Sequence, residues 1–277
     1  MDLNTVREIK RPDSTDEITQ WRDGYAWLAG GTWLFSEPQV ATDTLIDLDQ
    51  LRWPAIEPTP AGVDIAATCR IAELYRFAEA ADWPAKSLVI DCCNSFLASF
   101  KIWNAATIGG NICMSLPAGP MISLTTALEA VYTLYPRSAP SREVRAVDFV
   151  TGNNTNILRP GELLRSIRLP AAALAKRYAF RHASLTHLGR SAALIIGTQA
   201  TDCDDLLLTI TAATPRPVQL RFEHLPSAAA LRQAIDAHIP ADGYFNDVHG
   251  SAGYKRHLTY HFTEEIRAEF SSTRARA

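Results

Sequence analysis

Apolar and polar positions along the chain change rhythm near residue 170. Before it, the apolar positions come in short clusters. Val6 and Ile9, Trp27-Leu28-Ala29 and Leu45-Ile46-Asp47-Leu48 each have the length of a strand. Ser14-Thr15-Asp16-Glu17 has capping-box spacing, and Ile18 and Trp21 give an apolar face to the helix expected to follow. Glu57-Pro58-Thr59-Pro60-Ala61-Gly62 is rich in Pro and Gly and predicts a turn or linker. Val63 to Ala66 alternates as a half-buried strand does, and Ile71, Leu74, Tyr75 and Ala78 are spaced for one helix face. Helices are expected over Ala85 to Phe100 and Leu124 to Ala130, and strands over Val131 to Tyr135 and Leu163 to Leu169.

Beyond Pro170 the strands lengthen. Tyr178, Phe180 and His182 alternate with their neighbours, and Ala192 to Gly197 and Leu206 to Ala213 are apolar runs of strand length. Helices then fit Ala228 to Ala237 and Ala252 to Glu269. Three strands followed by two helices predict a separate small α+β domain starting near residue 171. No internal repeat or low-complexity segment interrupts the pattern.

A chain of 277 residues is near the limit of one hydrophobic core, which favours two domains or one large unit with an appended module. Apolar residues make up 47% and charged residues 21%, the balance of a globular protein. Lys and Arg total 27 against 30 Asp and Glu, a net charge of -3, which excludes nucleic-acid binding by bulk charge. The Arg-Ala-Arg near the C-terminus reads as a solvated tail. No apolar run reaches the roughly 18 residues of a membrane span. The first ten residues mix both charges without the apolar core of a secretion signal, so a cytoplasmic location is expected.

The cysteines agree with that location. Five (Cys69, Cys92, Cys93, Cys113, Cys203) is an odd number, and none forms C-x-x-C spacing, so neither a disulfide framework nor a zinc or iron–sulfur site is indicated. All seven histidines lie at or after His182 and no H-E-x-x-H occurs, which leaves hydrolytic chemistry little support. His257 and His261 have i, i+4 spacing but read as a solvated helix face. No catalytic acid, base or nucleophile and no metal ligand stands out.

Glycine is scarce, 14 in all, yet four glycines form two doublets, Ala29-Gly30-Gly31-Thr32 and Thr107-Ile108-Gly109-Gly110-Asn111. A doublet permits positive φ and removes Cβ atoms from a ligand's path. Successive N–H groups in such a turn can form an anion nest. The alternative is a plain tight turn. Neither G-x-G-x-x-G nor G-x-x-x-x-G-K-[ST] is present, so the residues by themselves indicate a two-loop phosphate cradle and nothing more specific.

Taken in order, further segments add to the doublets. They are Leu28-Ala29-Gly30-Gly31-Thr32, Leu45-Ile46-Asp47-Leu48, Trp103 to Ile112, Leu158-Arg159-Pro160-Gly161-Glu162-Leu163-Leu164, Ile167-Arg168-Leu169-Pro170, and Asp247-Val248-His249-Gly250-Ser251-Ala252 with Tyr254, Lys255, Arg256 and Leu258. Together they resemble the FAD-binding medium subunit of the molybdenum hydroxylases, the xanthine dehydrogenase and carbon monoxide dehydrogenase family, over nearly the whole chain. The resemblance implies an α+β fold with a two-lobed FAD-binding domain over 1–170, the lobes at about 1–56 and 62–170. A small C-terminal domain over 171–277, with a three-stranded sheet and helices, would follow.

It further implies FAD contacts from Ala29, Gly30, Gly31, Thr32, Trp33 and Leu34, from Thr107, Ile108, Gly109, Gly110 and Asn111, and from Leu163 and Arg181. The implied role is an electron-transfer subunit that takes electrons from the iron–sulfur clusters of a partner and passes them to NAD+, oxygen or another acceptor. Its partners would be an iron–sulfur subunit and a molybdopterin-containing large subunit, in a dimer of heterotrimers. Three departures stand out. Trp33 occupies a position where the family has Asp or Ser, Leu116-Pro117-Ala118-Gly119-Pro120 replaces S-P-A-x-D, and Leu185 to Arg190 replaces a polar, acidic run after Arg181. The departures leave room for a second reading, a scaffold derived from the family that has lost its flavin.

Overall fold

The computed structural model describes residues 3–96, 98–136, 139–186 and 189–274. His187 and Leu188, in the run after Arg181, and residues 275–277 of the Arg-Ala-Arg tail lie outside these. The fold is α+β and is built around three sheets.

The first sheet is small. Strands β1 (Glu8–Lys10), β2 (Tyr25–Leu28) and β3 (Thr44–Asp47) run parallel in the order β1-β3-β2. Within residues 3–61 only Pro12, Ile18, Thr44, Leu45, Ile46 and Leu48 are buried. The capping box at Ser14 forms, with Glu17 accepting from the Ser14 N–H at 3.0 Å, but it starts only a single 3-10 turn, Thr15–Glu17. Ile18 leaves helical geometry and is buried, while Trp21 tilts against Trp27 with ring centroids 4.9 Å apart. Those two residues therefore anchor a loop, and the helix expected there does not form.

The second sheet carries most of the core. In chain order come β4 (Ile56–Thr59), β5 (Gly62–Ala66), α1 (Ile71–Ala80), α2 (Lys86–Asn94), α3 (Phe100–Trp103), α4 (Ile108–Met114) and α5 (Pro120–Ala127). They are followed by β6 (Val131–Tyr135), β7 (Arg142–Arg145), α6 (Ala146–Phe149), β8 (Val150–Gly152), β9 (Thr155–Asn156), β10 (Leu163–Pro170) and α7 (Ala171–Leu174). The sheet is antiparallel, in the order β4-β5-β10-β6-β7. The turn or linker expected at Glu57–Gly62 is a hairpin turn at Pro60 and Ala61, and the residues before it form strand β4. Its Pro58 is tolerated because β4 is an edge strand with one side free of ladder bonds.

The third sheet is antiparallel and has four strands, β11 (Arg177–Ser184), β12 (Ser191–Gln199), β13 (Leu206–Thr211) and β14 (Val218–Phe222), with helices α8 (Ala228–His238) and α9 (Ala252–Arg274). The strand beyond the three expected, β14, follows a Pro-containing turn and pairs with β13 at the sheet edge. Every residue of β12 and β13 is buried; α5 packs on both strands and α9 covers the other face of β12. A Cβ on Gly197 would lie 2.4 Å from Ile266, so α9 sits directly on the β12 backbone.

All eight residues of α5 are buried, between α2 and α4 on one side and β12 and β13 on the other. Pro120 at its first turn costs no hydrogen bond there. Two of its three hydroxyls find partners across the layers, while that of Thr126 is buried without one. Ser123 Oγ is 2.6 Å from Thr211 Oγ1, and Thr125 Oγ1 is 2.6 Å from Tyr132 Oη. Leu194 and Ile196 of β12 consequently belong to the same buried cluster as β5, β6 and β10.

Candidate functional site

A cleft of about 1060 Å³ opens between the loop leaving β2, the α3–α5 region that packs on the second sheet, and residues of the third-sheet unit. One wall is the loop leaving β2. Leu28 is tied to β3 by the Leu48 N–H at 2.9 Å, after which the chain turns sharply at Gly31, φ +66°. A Cβ on Gly31 would come within 2.6 Å of the Phe35 ring. The turn closes through Phe35 N–H to Gly31 O and Ser36 N–H to Trp33 O, both 2.8 Å. Among the described residues nothing accepts from the backbone N–H groups of Thr32, Trp33 and Leu34. Three adjacent open donors behind a positive-φ glycine are what an anion nest requires.

The second doublet is different. Thr107 caps α4, and its Oγ1 accepts from Gly110 N–H at 3.0 Å. Ile108 N–H donates to Cys69 O and Gly109 N–H to Ala67 O, each 2.9 Å, and Asn111 N–H to Thr107 O at 3.1 Å. The expected nest is therefore already filled by the protein itself. Ile108 and Gly109 are buried and do not line the cleft, and a Cβ on Gly109 would meet Ala67 O at 2.6 Å. Thr107, Gly110 and Asn111 do line it. Asn111 also orders the opposite wall, since its Oδ1 accepts from Met121 N–H at 3.1 Å and so pins the Leu116–Pro120 loop. Gly30 packs on the segment just before the second doublet, where a Cβ would lie 1.9 Å from Ala105 O.

Ala29, Gly30, Gly31, Thr32, Trp33 and Leu34 all line the cleft. Leu163 does not. It is buried in β10, opposite Tyr135. The Arg159–Glu162 motif before it is a reverse turn, with Gly161 at φ +78° and Glu162 N–H donating to Arg159 O at 2.9 Å. The Glu162 carboxylate holds Arg142 at 2.7 Å, and its carbonyl accepts from Trp27 Nε1 at 3.2 Å. This motif fastens the first sheet to the second and stands back from the cleft. Arg181 is also elsewhere. Its guanidinium spans Glu265 and Glu269 of α9, both at 2.7 Å, because alternation on β11 turns position 181 toward α9.

Residues that sequence reasoning did not assign to the site complete its walls, among them Phe96, Ile102, Asn153, Asn154, Arg190, Phe245, Asp247 and His249. The Asp247–Ala252 motif was visible, but as the entry to α9, and only the fold brings it against the loop after β2. Asp247 is neutralised from behind by the fully buried Lys255, whose Nζ lies 2.9 Å from Asp247 Oδ1 and 3.2 Å from Ala212 O. A buried ammonium is costly unless paired and hydrogen-bonded, and here it is both. Cys113, also in the wall, is pushed up to about 12 by burial and stays a neutral thiol at pH 7. Burial likewise raises Cys69 and Cys93 to about 12.

Open backbone donors and a large cleft with apolar patches suit a bulky phosphate-bearing cofactor. Residues 5–172, more than half of the chain, match the family described as the FAD binding domain in molybdopterin dehydrogenase. The chain belongs to this family. It is an FAD-dependent oxidoreductase subunit of the molybdenum hydroxylase type.

Relatives agree with the family. The chain is 24% identical over 250 residues to the caffeine dehydrogenase subunit beta of Pseudomonas sp. (strain CBB1), covering 86% of this chain and 81% of that one. It is 30% identical over 115 residues to xanthine dehydrogenase from Oryza sativa subsp. japonica, which is 39% of this chain but 8% of that much longer protein. In structure it matches a chain of reconstituted CO dehydrogenase from Oligotropha carboxidovorans with TM-score 0.78 and 23% identity, covering 94% of this chain and 97% of that one. No helix among the described residues is long and apolar enough to cross a membrane.

Proposed function

We propose that FAD lies in this cleft, with its diphosphate on the open N–H groups of Thr32, Trp33 and Leu34 and its rings along the walls. In this reading residues up to about 170 form the FAD-binding domain and the remainder the C-terminal domain that closes the cleft. The chain takes electrons from iron–sulfur clusters of a partner subunit and passes them to NAD+, oxygen or another acceptor. A molybdopterin-containing large subunit completes a cytoplasmic assembly, a dimer of heterotrimers. FAD supplies the electron exchange when bound. The residues of the chain bind and orient it and keep bulk water from its phosphates.

The observation that carries this reading is the open donor row in the loop after β2, facing the second doublet across one cleft. In this reading the substrate-oxidising chemistry belongs to the partners, while the cleft-wall thiol of Cys113 stays protonated. The test is anaerobic. The purified chain loaded with FAD is mixed with purines, aldehydes and N-heterocycles while flavin absorbance is followed. Dithionite should bleach the flavin, whereas these substrates should do so only after the partner subunits are added. Bleaching of the isolated chain by any of them would overturn the subunit role, and a purified chain that takes up no flavin would support the scaffold reading instead.

A further inference from the structure

We infer that Arg190, reaching across from the third sheet, supplies the positive charge that recognises the FAD diphosphate beside the open donors of the loop after β2. The inference rests on FAD occupying the cleft as proposed above, and it assigns the electrostatic part of that recognition to a residue outside the two glycine loops. A diphosphate brings two negative charges into the cleft, and neutral N–H groups alone leave them uncompensated. Among the described residues that line the cleft, Arg190 is the sole Lys or Arg. The cleft acids are Glu37 and Asp247, and Asp247 is already matched by Lys255.

Arg190 is held near the donor loop. Its guanidinium carbon lies 5.6 Å from the centre of the Trp33 ring, within cation–π range, and Trp33 is itself one of the residues with an open N–H. Its charge is also free to be used. Arg181 and Arg221 of the same sheet are engaged by glutamates, whereas no carboxylate among the described residues pairs with Arg190. A guanidinium suits phosphate because its N–H groups form a planar fork and its charge does not titrate near neutrality. In this arrangement the bulky indole at position 33, where the family has Asp or Ser, becomes the platform that steers Arg190. FAD would then tie the first sheet to the third.

The experiment titrates flavin-stripped full-length chain with FAD and with riboflavin, which has no phosphate, at low and high salt. Because Arg190 is exposed, Arg190→Gln should fold as the wild type does, with circular dichroism as the check. Arg190→Gln is expected to weaken FAD about tenfold or more, to flatten the salt dependence of FAD affinity, and to leave riboflavin unchanged. Arg190→Lys should restore part of the affinity, because it keeps the charge without the fork. FAD affinity equal to wild type in Arg190→Gln would overturn the assignment. So would an equal loss for FAD and riboflavin, which would make Arg190 a wall residue. A wild-type chain that binds no FAD in the same titration would instead remove the cofactor from the cleft, an outcome read without any variant.

Discussion

At the first glycine doublet the backbone turns at Gly31 with φ +66° and leaves the next three N–H groups open; at the second, the N–H groups of Ile108, Gly109 and Gly110 are all taken by the protein. Similar short motifs have thus been put to different uses. In the first loop one glycine serves conformation and the other close contact, and the loop remains a binding surface. In the second, Gly109 lets α4 approach Ala67, and Gly110 alone turns a bare Cα to the cleft. A glycine motif in a sequence therefore says that backbone comes close to something. Whether that something is a ligand or another segment of chain is decided by where the hydrogen bonds go.

Substitutions can break this comparison in order of expected size. Gly30→Ala and Gly109→Ala place a Cβ 1.9 Å and 2.6 Å from backbone carbonyl oxygens, which cannot yield as a flexible side chain would. Each should cost about 3 kcal/mol or more of stability, read as a fall in denaturation midpoint with or without FAD. A midpoint within error of wild type would show that the loops can separate freely. Gly31→Ala should come next. The left-handed backbone costs ~1–2 kcal/mol for a residue with a Cβ, and here FAD affinity should fall along with stability because the donor row moves. Unaltered affinity in a destabilised variant would place the phosphates elsewhere.

Thr107→Val removes the cap of α4 and should cost ~1 kcal/mol. FAD affinity should change little, since the bond lost is internal to the protein. A loss in FAD affinity much larger than the loss in stability would mean that the second doublet contacts phosphate after all. The smallest effect on stability belongs to Gly110→Ala, whose Cβ would meet only Thr107 Oγ1, at 2.9 Å. Its midpoint should shift by less than about 1 kcal/mol, helped by the better helix propensity of Ala. Isothermal titration should nonetheless show weaker FAD binding, because the added methyl projects into the cleft.

Much of this architecture was legible in the chain. The runs that became β12 and β13 stood out because both of their faces are covered, which makes every position apolar or small. The cleft loops could be found because glycine is rare elsewhere in the sequence. What escaped notice was set by tertiary context. The helix expected after Ser14 was lost to the burial of Ile18 and the packing of Trp21 on Trp27. Pro58 made β4 read as turn or linker, because an edge strand tolerates a proline that a central strand does not, and β14 was not anticipated. Arg181 was assigned to the cofactor by resemblance, yet strand alternation turns it toward α9. Asp247, His249 and Arg190 lie far from the glycine loops in sequence, and no local pattern could have announced their meeting.

The burial of α5 carries a consequence for how the protein is made. During synthesis the helix emerges about 80 residues before the end of β13, the strand that covers its outer face together with β12. At roughly 5–20 residues per second, that leaves the face of α5 that meets β12 and β13 without its cover for about 4–16 s. The second sheet can form in that interval, but it does so with an uncovered apolar flank, a natural target for a holding chaperone. A chain stopped at residue 170 would keep that flank for good and should aggregate, even though it contains both glycine loops.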